Sequence, residues 1–256
     1  RIDRAPSPPP ASPPHHRARS DVAIVQLDAA RRVIGMNDFA RRVLPVERMQ
    51  PFDRMVLSFH PERSQPKGEF LLDRAGACPA ANPLPMTMII NIPERVLLIK
   101  VSRMTDGAGD PVAYVLVFHD VTETVAVEPV PGAPRDARRR LHKIPTAQGS
   151  QILFVDAEQV LRVHSDGHYT RVVTADGERF CNLGIGDLEA RLDPERFFRV
   201  HRTHILNLDA VRELVRADGR LAVRLRGDAT EIPVSRTAAA GLLERLGLAA
   251  SAVRAV

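Results

Sequence analysis

Short apolar runs alternate along the chain with stretches dense in Pro, Arg and small residues. VAIVQLD (Val22–Asp28) places β-branched and aliphatic residues at every second position, which predicts a half-buried strand. NDFARRVL (Asn37–Leu44) switches to helical spacing, with Asn37 as N-cap and Pro45 as stop. MQPFDRMVLSFH (Met49–His60) reads as a second helical stretch closed by Pro61. Strands are expected at GEFLLD (Gly68–Asp73), PMTMIINI (Pro85–Ile92), RVLLIKVSRM (Arg95–Met104) and VAYVLVFHDVT (Val112–Thr122). Strands flanking a helical middle describe an α+β domain with an antiparallel sheet over residues 21–122.

The flanks of that domain differ in kind. Residues 1–20 are Pro-rich and read as a disordered arm. Residues 123–146 carry four prolines and the basic cluster Arg138, Arg139, Arg140 and Lys143, and read as a linker. From Gln151 short strands take over: ILFVDA, VLRVHS, YTRVVTA and ERFCNL, punctuated by the turn pairs Asp166-Gly167 and Asp176-Gly177. IGDLEARLD (Ile185–Asp193) predicts a helix with Leu188 and Leu192 on one face. ERFFRVHRTHILNLDAVREL, two strands around Asp218-Gly219 and EIPVSRTAAAGLLERLGL complete a mainly-β domain over 147–256.

Charge separates the two halves. The chain has a net charge of +5 and a pI near 9.8. Residues 1–137 hold 17 basic and 16 acidic side chains, and residues 138–256 hold 19 and 15, so most of the excess lies in the second half. That balance suits a polyanionic partner. Only three of the 36 basic residues are Lys, which favours bidentate contacts but is also what a GC-rich genome would produce. The two cysteines, Cys78 and Cys181, fall in different domains without a CxxC partner, so a disulfide scaffold is not expected and a reducing cytoplasm is. The N-terminal stretch has no apolar h-region of a secretory signal. The longest apolar candidate for a membrane span, MTMIINIPERVLLIKV, is interrupted by Pro93, Glu94 and Arg95. No Gly-rich phosphate loop, HExxH or GxSxG motif points to an enzyme, and His60 with Cys78 lacks a partner to orient a base.

The second half resembles a LytTR domain over about 100 residues. ILFVDAE, GHYTRVVTADG, LGIGDLEARLDPERFFRVHRTHILNLDAV and IPVSR occur in that family's order and spacing. The resemblance implies an elongated β fold that places loops in successive major grooves of double-stranded DNA, and a homodimer on tandem half-sites. It assigns base reading to His168, Arg202 and Arg236. Arginine suits guanine O6 and N7, and a His ring can donate or accept. Tyr169, Arg171, Arg199, His201, Thr203, His204 and Ser235 become candidate phosphate contacts. Arg199 and His201 read equally well as hydrogen-bonding groups within the domain. Phe197, Phe198 and Val200 read as packing residues.

The first half, ending in VFHDVTE, resembles a PAS domain, a fold that binds haem, flavin, a metabolite or nothing. Its histidines are His15, His16, His60 and His119, and only His60 sits where PAS pockets are lined. Cys78 and the strand pair Met86 and Met88 follow. Read singly, a lone Cys is a small hydrophobe and a strand Met is core filler. Together, a PAS domain before a LytTR domain with His, Cys and Met in this order resembles the RcoM family of CO-responsive haem regulators. That resemblance implies a b-type haem with His60 as constant ligand, Cys78 opposite it in the ferric state and Met88 in the ferrous state. CO then displaces Met88, and the outcome is activation of CO-oxidation genes. The chemistry is consistent, since ferric iron favours an anionic thiolate and ferrous iron accepts a neutral thioether. A PAS–LytTR regulator answering another ligand or redox state, without haem, is the alternative.

Overall fold

The computed structural model describes residues 22–44, 51–59, 65–74, 86–88, 95–127, 139–148, 151–167, 169–217 and 220–248. Five antiparallel strands form the first sheet: β1 (Val22–Asp28), β2 (Val33–Met36), β3 (Met86–Met88), β4 (Leu97–Thr105) and β5 (Pro111–Asp120), in the order β2-β1-β5-β4-β3. The alternation in β1 buries Ala23, Val25 and Leu27 and leaves Ile24 and Gln26 outward. Helix α1 (Asp38–Val43) starts where Asn37 predicts. The Asn37 side chain accepts from the Ala40 N–H at 2.8 Å and the Ile24 N–H at 3.1 Å, and donates to the Val22 carbonyl at 2.8 Å. One cap therefore also staples the helix to β1.

Two sequence expectations are corrected here. Residues 51–59 hold only a short 3-10 turn, Val56–Phe59, instead of a helix. Their backbone is engaged elsewhere: the Asp53 N–H donates to the Val33 carbonyl and the Val33 N–H to the Arg54 carbonyl, both at 2.9 Å. The segment Gly68–Asp73, expected as a strand, lies within helix α2 (Gln65–Arg74). Gly68 and Leu72 are buried four residues apart, a helical period, and Pro66 is tolerated in the first turn. A Cβ at Gly68 would meet the Leu57 Cδ2 at 2.5 Å, so a side chain there would require Leu57 to move.

Beyond the short helix α3 (Thr122–Val125) the chain builds a seven-stranded antiparallel sheet. Its strands are β6 (Lys143–Gln148), β7 (Gln151–Asp156), β8 (Val160–Asp166), β9 (Tyr169–Thr174), β10 (Gly177–Cys181), β11 (Phe197–His201) and β12 (His204–Asn207), in the order β11-β12-β8-β9-β10-β6-β7. Strand β6 occupies a stretch that reads in sequence as linker and first strand together. Its Pro145 is accommodated because β10 meets β6 at Phe180↔Ala147, off the proline. A three-stranded sheet follows, β13 (Val211–Ala217), β14 (Arg220–Leu225) and β15 (Asp228–Pro233). Helices α4 (Ile185–Glu189) and α5 (Arg236–Arg245) complete the second half.

The β11–β12 pair lies between two cores. Phe197 and Ile205 pack with Val163, Val172 and Leu188 on one side. Phe198, Val200 and Leu206 pack with Val223, Ile232 and Leu242 on the other. Burial on both faces is why FFRVH and HILN run apolar instead of alternating.

The first of these cores also extends into the PAS-like half. Val96, just before β4, is fully buried in it, with Val125 and Ala126 from the end of the PAS-like segment. Ala126 forms an antiparallel bridge with Leu141. The Val127 N–H donates to the Arg140 carbonyl at 2.8 Å and the His142 N–H to the Val125 carbonyl at 3.0 Å. Arg139 pairs with Glu123 at 2.8 Å.

The two sheets of the second half are tied by an ion pair between Arg162 and Asp228, whose side chains are only 10% and 9% exposed. Burial acts to raise the Asp228 carboxyl, but hydrogen bonds from Arg162 and Thr230 outweigh it and hold it below the ordinary range. A depressed carboxyl contributes stability above its unfolded value and loses it as pH falls through the folded one. Asp228→Ala would strand a buried guanidinium and is expected to lower stability by about 3–5 kcal/mol. Replacing both partners, by Arg162→Met with Asp228→Leu, is expected to recover most of that loss. Urea unfolding of both variants checks this.

Candidate functional site

Three segments meet at one end of the seven-stranded sheet. The β8–β9 turn contains Gly167 at φ +62°, the positive φ that a tight hairpin between the paired Asp166 and Tyr169 requires. The β11–β12 turn carries Arg202 and Thr203 between the paired His201 and His204. The third segment is the start of α5, where Ser235 caps the helix by accepting from the Ala238 N–H at 3.2 Å and Arg236 is the first helical residue. Backbone bonds join them: the Ser165 N–H donates to the Thr203 carbonyl at 2.9 Å, and the Ser235 N–H to the Val200 carbonyl at 2.8 Å.

The candidate contacts differ in how they are held. Arg202 and Arg236 are exposed, and neither has an ion-pair partner among the described residues. Two uncommitted guanidinium groups on adjoining segments can reach an anionic surface without first breaking a bond. Arg171 pairs with Asp166 at 3.1 Å and lies over the Phe180 ring, which also packs on Tyr169 at 4.8 Å between centroids. Arg199 is turned toward its own turn, donating to the Arg202 carbonyl at 2.7 Å and the His201 carbonyl at 3.3 Å and pairing with Glu189. His168 lies outside the described residues.

Register lines up His201, His204, His164, Arg171 and Phe180 in one row across five strands, from β11 to β10. The ring centroids of His164 and His204 are 5.8 Å apart, and those of His204 and His201 are 5.9 Å apart. His164 bonds Glu178 through Nε2. The Thr203 N–H donates to His201 Nδ1 at 3.3 Å, so that nitrogen accepts and the neutral ring carries its proton on Nε2. His204 is pushed down to about 4 by burial first, then by His164, Arg162 and His201 around it, and its ring is neutral at physiological pH. Among the described residues no group of three His, Cys, Asp or Glu side chains is arranged to hold a metal ion, so the row stacks instead of chelating. His164 and Glu178 escaped sequence reasoning, because they meet only once the β8–β9–β10 meander has formed, and His164 joins the row only through the β8–β12 pairing.

The interior of the PAS-like half is apolar among the described residues. Leu97, Ile99, Leu116, Phe118, Val25 and Leu27 form its core, and no charged side chain among the described residues 22–120 is buried. In register, Met86 stands opposite Ile99 and Met88 opposite Leu97, two core residues. This fits a porphyrin, which takes apolar side chains against its faces. His60 and Cys78 lie outside the described residues. His119 is exposed on β5.

Comparison with known proteins covers both halves. Residues 18–126 match the PAS fold and residues 150–247 match the LytTr DNA-binding domain. Over 91% of its length the chain is 39% identical to the heme-containing CO-sensing transcriptional regulator RcoM 2 of Paraburkholderia xenovorans, covering 92% of that protein. It belongs to the RcoM family. RcoM 1 of the same organism is 38% identical over the same share of both chains. The CO-responsive transcriptional regulator RcoM of Rhodospirillum rubrum is 37% identical over 72% of this chain and 76% of that protein. The RcoM likeness thus crosses the seam between the halves and includes an α+β PAS domain followed by a mainly-β LytTR domain. No helix among the described residues is long and apolar enough to cross a membrane.

The His204 shift has a measurable consequence for this RcoM-family chain. A histidine whose folded value is lowered stabilises the fold fully above its unfolded value near 6.5. That contribution is lost as pH falls from there toward 4, because the unfolded chain takes up the proton first. His204→Gln is expected to flatten the fall in stability between pH 6.5 and 4.5. Denaturant titrations at stepped pH would show it, and an unchanged slope would remove His204 as the cause.

Proposed function

We propose that this chain is a one-component transcriptional regulator that senses CO through a PAS-bound b-type haem and binds promoter DNA through its LytTR domain. The observation that carries the reading is likeness over 91% of the chain to a protein described as heme-containing and CO-sensing. An apolar interior with Met88 at a register position facing the core strand β4 supports it. Haem supplies the iron at which CO binds. His60, Cys78 and Met88 are the residues that would hold it: a histidine common to both oxidation states, a thiolate suited to ferric iron and a thioether suited to ferrous iron. A thioether is the weakest of the three and the one CO would replace. The chain acts in the cytoplasm as a homodimer, carries no enzymatic activity, and activates genes of CO oxidation.

On the DNA side, His168, Arg202 and Arg236 read bases, while Tyr169, Arg171, Arg199 and His201 are the candidates for backbone contact or support. Exposure and the lack of ion-pair partners among the described residues support Arg202 and Arg236 as readers.

Absorption spectroscopy of purified protein tests the sensor. A Soret band, and a single new species when CO meets the reduced protein, are expected. Met88→Leu is expected to turn the reduced spectrum from six-coordinate to five-coordinate. A six-coordinate reduced Met88→Leu protein would sink the ligand assignment. For the reader, Arg202→Ala and Arg236→Ala are each expected to lower discrimination at one base pair by about 1–3 kcal/mol. Binding-site selection from randomised duplexes, with and without CO, measures this. Equal preferences in variant and parent would refute it.

A further inference from the structure

Arg199 sits two residues before the end of β11, at a β-bulge between Arg199 and His201. A phosphate contact needs a guanidinium that faces out. All three nitrogens of Arg199 are instead engaged within the domain. Nη2 donates to the Arg202 carbonyl at 2.7 Å, Nε to the His201 carbonyl at 3.3 Å, and Nη1 pairs with Glu189. Glu189 is the last residue of α4, and Leu188 beside it is fully buried in the core. The chain of contacts therefore runs from the core through α4, Glu189 and Arg199 to the backbone that carries Arg202. Arg199 and Glu189 also line a cavity of about 220 Å³ with Phe197, Phe198, Ile205 and Arg245. With open space beside it, the guanidinium is oriented by its hydrogen bonds more than by packing.

We propose that the Arg199–Glu189 pair is a positioning device that holds the Arg202 turn in the geometry needed to read a base, and that Arg199 itself makes no phosphate contact. The inference rests on the reading of Arg202 as a base-contacting residue. A two-residue turn at the protein surface leaves a long side chain free to sample many directions, and a fork anchored on two successive carbonyls fixes the peptides on either side of it. The planar fork is essential, since an ammonium at the same place cannot span both carbonyls and the carboxylate together.

The test uses the full-length, haem-loaded chain under CO. A duplex selected from a randomised pool by the parent protein and a scrambled duplex of equal length serve as probes. Fluorescence anisotropy at several KCl concentrations gives affinity and salt slope for each. Glu189→Gln removes a negative charge near DNA, which by charge alone would tighten binding to both duplexes. As a broken brace it is expected instead to weaken the selected duplex about tenfold, within the range for losing one bidentate base contact, with the scrambled duplex and the salt slope unchanged. Arg199→Gln and Arg199→Lys are expected to do the same. If Arg199 contacts phosphate, Arg199→Gln weakens both duplexes together and the slope falls by about 0.9, while Arg199→Lys keeps most of the binding. That pattern, or a Glu189→Gln protein with full affinity for the selected duplex, overturns the proposal. Arg202→Ala in the same assay separates the two levels. Loss of preference there with Glu189→Gln intact rejects only the brace, whereas no loss rejects the base-reading assignment and the brace with it.

Discussion

The burial of Val96 is the constraint on which the arrangement of the two halves depends. It precedes the PAS strand β4, yet its side chain is part of the core that Val163, Val172 and Leu188 build in the DNA-binding half. Its N–H donates to the Thr122 hydroxyl at 2.8 Å and its carbonyl accepts from the Val121 N–H at 3.0 Å, which hold it to the end of the PAS-like segment beside that core. Fully burying a valine is worth about 1.5–3 kcal/mol. Val125 and Ala126 add to the same seam. Thus the sensor half completes the packing of the reader half.

The reader half faces a different problem: it must hold charged groups at a surface edge while its strands are covered on both faces. The β11–β12 pair solves it by alternating its apolar residues between two cores and leaving only its turn outside. Two arginines of the reader half are matched by carboxylates within the domain. Arg162 has Asp228, which bridges two sheets that otherwise share no strand. Arg199 has Glu189 and two carbonyls. Arg202 and Arg236, without an ion pair among the described residues, are on the segments that adjoin at one end of the sheet, where on the proposed reading specificity and electrostatic attraction fall together.

Much of this is legible in the sequence where periodicity is local. Val22–Asp28 alternates and is a strand with those bounds, and Asn37 caps a helix as its side-chain chemistry requires. GEFLLD misleads because six residues with three apolar ones fit either period. The choice of helix comes from Leu57, far enough in sequence to be invisible, packing against Gly68. The Met49–His60 stretch fails for a related reason, since its backbone pairs with Val33 across twenty residues. At the DNA edge the residue types announce themselves, Arg and His flanking turns. Their partners do not, because Glu178 meets His164 only in the paired β8–β9–β10 meander, and Glu189 meets Arg199 only once α4 packs beside β11.

The seam and the ligand strand are linked by counting residues. Met88 stands opposite Leu97, and Val96 is the next residue along the chain. If Met88 holds the haem as proposed, a displacement of β3 would be felt at Leu97 through the ladder. From there it reaches Val96 across a single peptide bond. Close-packed interiors transmit such shifts because they do not compress. The reader half would feel the shift through Val163 and Leu188, which share the core with Val96, and Leu188 adjoins Glu189, the anchor of the Arg202 turn. Input and output then need no flexible relay. On these proposals the path runs from β3 to Leu97 in the core of the PAS-like half, and from Val96 to Leu188 in the next core.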